Sequence, residues 1–131
     1  MISYDYTVRV AYSETDKMAV VHHSNYARYL ENARWELFRS IGIPYTEMEE
    51  RGYMCPVILL NIKYVQVAKY DQQLVVHTVL KKTKAARMYF YYTIYNQSDE
   101  IVAEADVQIA CVRSDSWKPC VFPDFIREKI T

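Results

Sequence analysis

The 131-residue chain predicts an α+β fold, with one long amphipathic helix packed against a curved antiparallel sheet of about five strands. Three observations predict it. A segment of period 2 opens the chain, an apolar stripe at helical spacing follows, and from residue 57 onward runs of Val, Ile, Tyr and Phe alternate with short polar turns. Turns that short join antiparallel neighbours.

In the first segment Tyr4, Tyr6, Val8, Val10 and Tyr12 alternate with Ser3, Asp5, Thr7, Arg9 and Ala11, as in a strand with one buried face. Tyr26, Leu30, Ala33, Leu37 and Ile41 then recur at helical spacing, with Ser24 or Asn25 available as N-cap. Gly42 stands just past the helix end, and 44–51 reads as a short second helix closed by Gly52. Strands are predicted at 57–64, 74–81, 87–96 and 101–113, separated by turns at 69–72, 82–86 and 97–100. In the last strand Ile101, Ala103, Ala105, Val107, Ile109 and Cys111 share one face, and Glu104, Asp106 and Gln108 the other. Pro119 and Pro123 bracket a loop before a terminal helix at 124–130. No repeat or linker interrupts residues 1–131, which read as one domain.

Sixteen basic and sixteen acidic residues cancel. A nucleic-acid or anionic-membrane surface therefore has no global electrostatic support. The amino-terminal residues lack a secretory pattern, and the longest apolar run is far below membrane-span length, so a cytoplasmic protein is expected. Cys55, Cys111 and Cys120 show no C-x-x-C spacing and read as reduced thiols. His22, His23 and His77 stand at no recognised ligand spacing, so no metal is expected. The segment 88–95 is apolar or aromatic on both faces, which predicts an oligomer that covers it.

Asp16 falls in the connection between first strand and long helix, a few residues from the free N–H groups and positive end of that helix. The run around it contains Tyr12, Asp16, Val20, Val21, His23 and Tyr26. It resembles the active-site segment of hotdog-fold acyl-CoA thioesterases of the 4-hydroxybenzoyl-CoA thioesterase branch, which reads Tyr/Phe-x-x-x-Asp-x-x-Gly-hydrophobic-Val-x-His/Tyr-x-x-Tyr. The resemblance covers nearly the whole chain. Ala19 replaces the usual Gly. If that position needs positive φ, alanine there costs stability or reshapes the loop.

The resemblance implies hydrolysis of an acyl-CoA to a carboxylic acid and free coenzyme A, without a cofactor. A thiol leaving group with a pKa of about 8.5 needs little general-acid help. Asp16 would act as general base or nucleophile, and the His23 backbone N–H as oxyanion donor. The His23 side chain would hydrogen-bond the carbonyl or orient a water and Tyr12 would line the site, with Val21, Asn25 and Tyr26 as substrate contacts. Lys82, Lys84 and Arg87 belong to a basic run suited to nucleotide phosphates, with Arg113 and Lys118 as secondary candidates. The expected assembly is a homodimer or homotetramer, and an acyl carrier protein is an alternative thiol carrier. The rival from another class is a protein that binds acyl thioesters without turning them over.

Overall fold

A computed structural model describes residues 2–130. Its described residues form a five-stranded antiparallel sheet in the order β1-β4-β5-β6-β3. The strands are β1 (Ile2–Arg9), β3 (Val57–Tyr64), β4 (Gln73–Lys84), β5 (Arg87–Tyr95) and β6 (Ile101–Ala110). A two-stranded ribbon of β2 (Tyr53–Met54) and β7 (Val112–Arg113) closes one side. Helix α1 (Ser24–Ser40) lies across the inner face of the sheet, followed by α2 (Tyr45–Glu50), and α3 (Asp124–Ile130) ends the fold.

The stripe read from the sequence is the buried face of α1: Tyr26, Leu30, Ala33 and Leu37 are buried, together with Tyr29 and Phe38. They meet Leu74, Val76, Phe90, Tyr92, Val107 and Ile109 from the sheet in one core. Gly42 and Gly52 both take positive φ just past α1 and α2, as their placement predicts. At Gly52 an added Cβ would also lie 3.0 Å from the Arg113 guanidinium, which packs over the Tyr53 ring.

Two expectations are corrected. The fourth strand runs through Lys84, not Lys81, because a two-residue turn with Ala85 at φ 53° joins β4 directly to β5, and a bulge between Leu80 and Lys82 absorbs the added length. Segment 88–95 is also not the open patch. As β5 it lies at the sheet centre with Met88, Phe90, Tyr92 and Ile94 buried, while Lys82 and Lys81 cover the rings of Tyr89 and Tyr91. The open apolar surface belongs to β3, which has β6 alone as neighbour. There Val57, Ile58, Leu59 and Leu60 are 42–47% exposed. No described helix is long and apolar enough to cross a membrane.

Candidate active site

After β1 the chain buries Val10 and enters a single 3-10 turn, Tyr12–Glu14. Glu14 fastens this turn to α1. Its Oε1 accepts the Tyr29 hydroxyl at 2.7 Å and the Ala11 N–H at 2.7 Å, and Oε2 pairs with Arg28. Its carbonyl accepts the His22 N–H and the Asn25 Nδ2, each at 2.9 Å. Burial, reinforced by the bond to Glu14, holds the Tyr29 hydroxyl protonated well above its ordinary range.

Between these anchors the chain closes a small loop across the Thr15–Val21 bridge. Asp16 N–H donates to the Val20 carbonyl at 3.0 Å, and Ala19 N–H donates to the Asp16 carbonyl at 2.9 Å. Met18 N–H donates to Asp16 Oδ1 at 2.8 Å, which orients the carboxylate. Ala19 sits at φ 65°, so the loop keeps the conformation glycine would adopt freely and carries the local cost of a Cβ, about 1–2 kcal/mol. Val21 N–H donates to the Ala68 carbonyl at 2.8 Å, and Val20 bridges Lys69, docking the loop against the segment that follows β3.

A groove of about 340 Å³ results, lined by Asp16, Val21, His23 and Tyr26 on one side and by Tyr64 and Val65 on the other. Tyr26 meets Tyr64 edge to face with ring centroids 5.2 Å apart. Burial, aided by Tyr64, pushes the Tyr26 hydroxyl up to about 12. His23 immediately precedes α1, and its backbone N–H has no acceptor among the described residues. Ser24 and Asn25 do not cap the helix with their side chains. Instead Ser24 N–H donates to His22 Nδ1 at 3.3 Å, and the Asn25 amide reaches back to the Glu14 and His22 carbonyls.

The fold thus brings Asp16, Val21, His23 and Tyr26 to one groove, and leaves Tyr12 and Asn25 outside its lining. Tyr12 is 76% exposed against the Tyr70 ring, because the 3-10 turn ends the strand alternation after Val10. Asn25 is tied into the loop and positions it. Lys82, Lys84 and Arg87 are not near Asp16 of the same chain. β1 pairs with β4 from Ile2 opposite Leu80 to Arg9 opposite Gln73, so the Asp16 loop leaves the sheet at the Gln73 end. At about 3.3 Å per residue the basic hairpin lies roughly 25–35 Å away. There Lys81, Lys82 and Arg127 edge a larger cavity of about 460 Å³ beside α3. Sequence reasoning missed Glu14, His22 and the wall formed by Tyr64–Val67.

A long helix on an antiparallel sheet, with one carboxylate held ahead of the helix start, defines the hotdog thioesterase class. The profile of the thioesterase-like superfamily matches residues 10–130. An acyl-CoA thioesterase of Haemophilus influenzae, YbgC, is 32% identical over 125 residues, covering 95% of this chain and 91% of the relative. A DHNA-CoA thioesterase from Staphylococcus aureus superposes with TM-score 0.92 at 32% identity, covering 99% of this chain and 91% of that one. The fold is also shared with a 4-hydroxybenzoyl CoA thioesterase mutant complexed with 4-hydroxybenzoyl CoA, at TM-score 0.91, 21% identity and full coverage of both chains. The chain belongs to the thioesterase-like superfamily.

Proposed function

We propose that this protein hydrolyses acyl-CoA thioesters, with Asp16 as the reacting carboxylate and the His23 N–H as oxyanion donor. The observation that carries this is the meeting of an oriented carboxylate and an unpaired helix-start N–H at one groove. As general base, Asp16 takes a proton from water while the water oxygen adds to the carbonyl carbon. The tetrahedral oxyanion is held by the His23 N–H and the helix dipole, then collapses, expelling coenzyme A thiolate, which recovers the proton. As nucleophile, Asp16 adds directly, expels the thiolate and leaves a mixed anhydride that water cleaves. Both routes use the same two groups.

The assembly we propose is at least a homodimer formed through β3. An edge strand with four exposed apolar residues is a template for pairing, and pairing of like strands about a two-fold axis is antiparallel. The Val57 end of β3 lies at the hairpin end of the sheet, since Val57 pairs Ile109, Ile109 pairs Met88 and Met88 pairs Thr83. The Tyr64 end lies beside the Asp16 groove. Antiparallel pairing therefore carries one subunit's basic hairpin to the Asp16 end of the other, where Lys82, Lys84 and Arg87 would meet the nucleotide phosphates. The same cations suit an acidic acyl carrier protein, and competition between the two esters distinguishes them. A cytoplasmic setting accords with three unbridged cysteines.

The test is release of free thiol from a panel of short, long and aromatic acyl-CoAs. Asp16→Asn keeps the acceptor for Met18 N–H but loses the basic oxygen. It should lower kcat by about 10²- to 10⁴-fold with an unchanged melting temperature. A wild-type rate in a folded Asp16→Asn protein excludes the assignment.

A further inference from the structure

The inner face of β3 and the flank of α1 do not close on each other. Along their seam the Asp16 groove is followed by a hollow of about 190 Å³ lined by Ala27, Leu30, Leu60 and Val107. That hollow shares Glu31, Arg34 and Val57 with a third, of about 230 Å³, bounded by Trp35, Tyr45, Cys55 and Trp117. In the single subunit the seam is open, with Leu60 and Tyr64, inner-face partners of Val107 and Ala103, 47% and 50% exposed; the β3 pairing proposed above would set the second subunit along its outer side. It begins at a carboxylate, continues between apolar walls and ends at a cation.

That cation has no counter-ion. Arg34 is only 3% exposed. Its Nε donates to the Tyr45 hydroxyl at 3.4 Å and its Nη1 to the Tyr92 hydroxyl at 3.1 Å, while Nη2 has no acceptor among the described residues. Burial raises Tyr45 and Tyr92 above their ordinary range, so both are neutral partners. Among the described residues no carboxylate lies within 4.0 Å of the guanidinium. Glu31 and Glu49 also line the seam, at its exposed surface. There solvent and salt weaken their charge, whereas an anion entering at the depth of Arg34 meets the guanidinium's charge little screened. A buried guanidinium without an anion is costly, and a carboxylate offers it two parallel charge-assisted bonds.

We infer that the seam is the acyl channel and that Arg34 selects acyl groups bearing a carboxylate at the end remote from the thioester. This rests on hydrolysis at Asp16. The helix from Ser24 to Arg34 spans roughly 15 Å. Carbon–carbon bonds near 1.5 Å set in a zigzag cover that length with about twelve carbons. The substrate class is the coenzyme A mono-thioester of a long α,ω-dicarboxylic acid.

The experiment compares dodecanoyl-CoA, its ω-carboxy analogue and the ω-carboxy six-carbon analogue, using wild type, Arg34→Met and Arg34→Lys. Wild type should favour the long ω-carboxy ester over dodecanoyl-CoA by about tenfold or more in kcat/KM, and Arg34→Met should abolish that preference while retaining dodecanoyl-CoA turnover. Arg34→Lys should keep part of it. The six-carbon diacid ester, too short to reach Arg34, should gain nothing, a comparison wild type alone supplies if Arg34→Met does not fold. Binding of free dodecanedioate and dodecanoate, followed by the fluorescence of Trp35 and Trp117, reads the channel without turnover. Discrimination in binding without hydrolysis would retain Arg34 selection and discard the hydrolase. Hydrolysis with no long-diacid preference, or with a preference equal at six carbons or unchanged in Arg34→Met, overturns the inference.

Discussion

The Tyr29 hydroxyl donates to Glu14 Oε1 at 2.7 Å, joining the second turn of α1 to the turn that precedes the Asp16 loop. With Arg28 on the other oxygen, the Glu14 carboxylate is the clamp between strand exit and helix entry. Glu14→Gln keeps the shape but weakens both charged contacts. It should destabilise the fold by about 1–3 kcal/mol and lower kcat more than it alters KM, because it disturbs the placement of Asp16. Denaturant unfolding and steady-state kinetics check this. An unchanged kcat in a measurably destabilised variant would mean that the clamp serves stability alone.

Ala19 is a second place where the loop can be tested without touching a reacting group. At φ 65° its Cβ is strained. Ala19→Gly should therefore raise stability by about 0.5–1 kcal/mol, or a melting temperature higher by roughly 2–4 °C. Calorimetry decides it, and a lower melting temperature would place the strain elsewhere.

The proposed two-fold pairing makes a prediction about mixed subunits. Asp16→Asn chains retain the basic hairpin, and chains neutralised at Lys82, Lys84 and Arg87 retain Asp16. Each homodimer should be impaired, the second chiefly through a raised KM. Co-refolding the two should rebuild one complete site per heterodimer and recover toward about a quarter of wild-type activity. Failure to recover activity from heterodimers isolated by sequential capture of two different affinity tags would refute delivery of the phosphates' site by the partner.

Burial pushes the Cys55 thiol up to about 12, with nearby Arg34 opposing and Cys120 adding to the shift. The unfolded chain releases that proton near pH 8.5 and the folded chain keeps it, so stability is full below that pH and declines as pH rises toward 12. The slope from this group is at most about 1.4 kcal/mol per pH unit. Cys55→Ala should flatten the fall in stability between pH 9 and 11. Parallel curves for the two proteins would show that Cys55 titrates alike in both states.

Much of this arrangement is visible in the amino-acid order because α1 and the strands carry strong apolar periods, and Asp16, Val21, His23 and Tyr26 lie close together in a local run. What escapes is non-local. Glu14 and Tyr29 meet across the whole loop, and nothing in their spacing marks them as partners. Among the described residues β3 pairs only with β6, a long-range choice that short turns do not reveal, so the sequence pattern by itself places the exposed patch on the strand at 88–95. Tyr12 leaves the strand through a 3-10 turn that contains neither Gly nor Pro, and the tight β4–β5 turn relies on Ala85 at positive φ. Turns built from alanine carry no compositional sign.

The edge position of β3 also has a consequence for synthesis. The Val57–Leu60 segment leaves the ribosome well before β6, the strand that pairs with it in the finished chain. At about 5–20 residues per second, the intervening stretch of nearly forty residues takes roughly 2–8 s. During that interval four consecutive aliphatic side chains have no strand beside them, and after it one edge of β3 still has no neighbouring strand among the described residues. The nascent chain is therefore most vulnerable to self-association at the same strand through which the proposed dimer would form, which ties its yield on expression to the rate of synthesis as much as to its final stability.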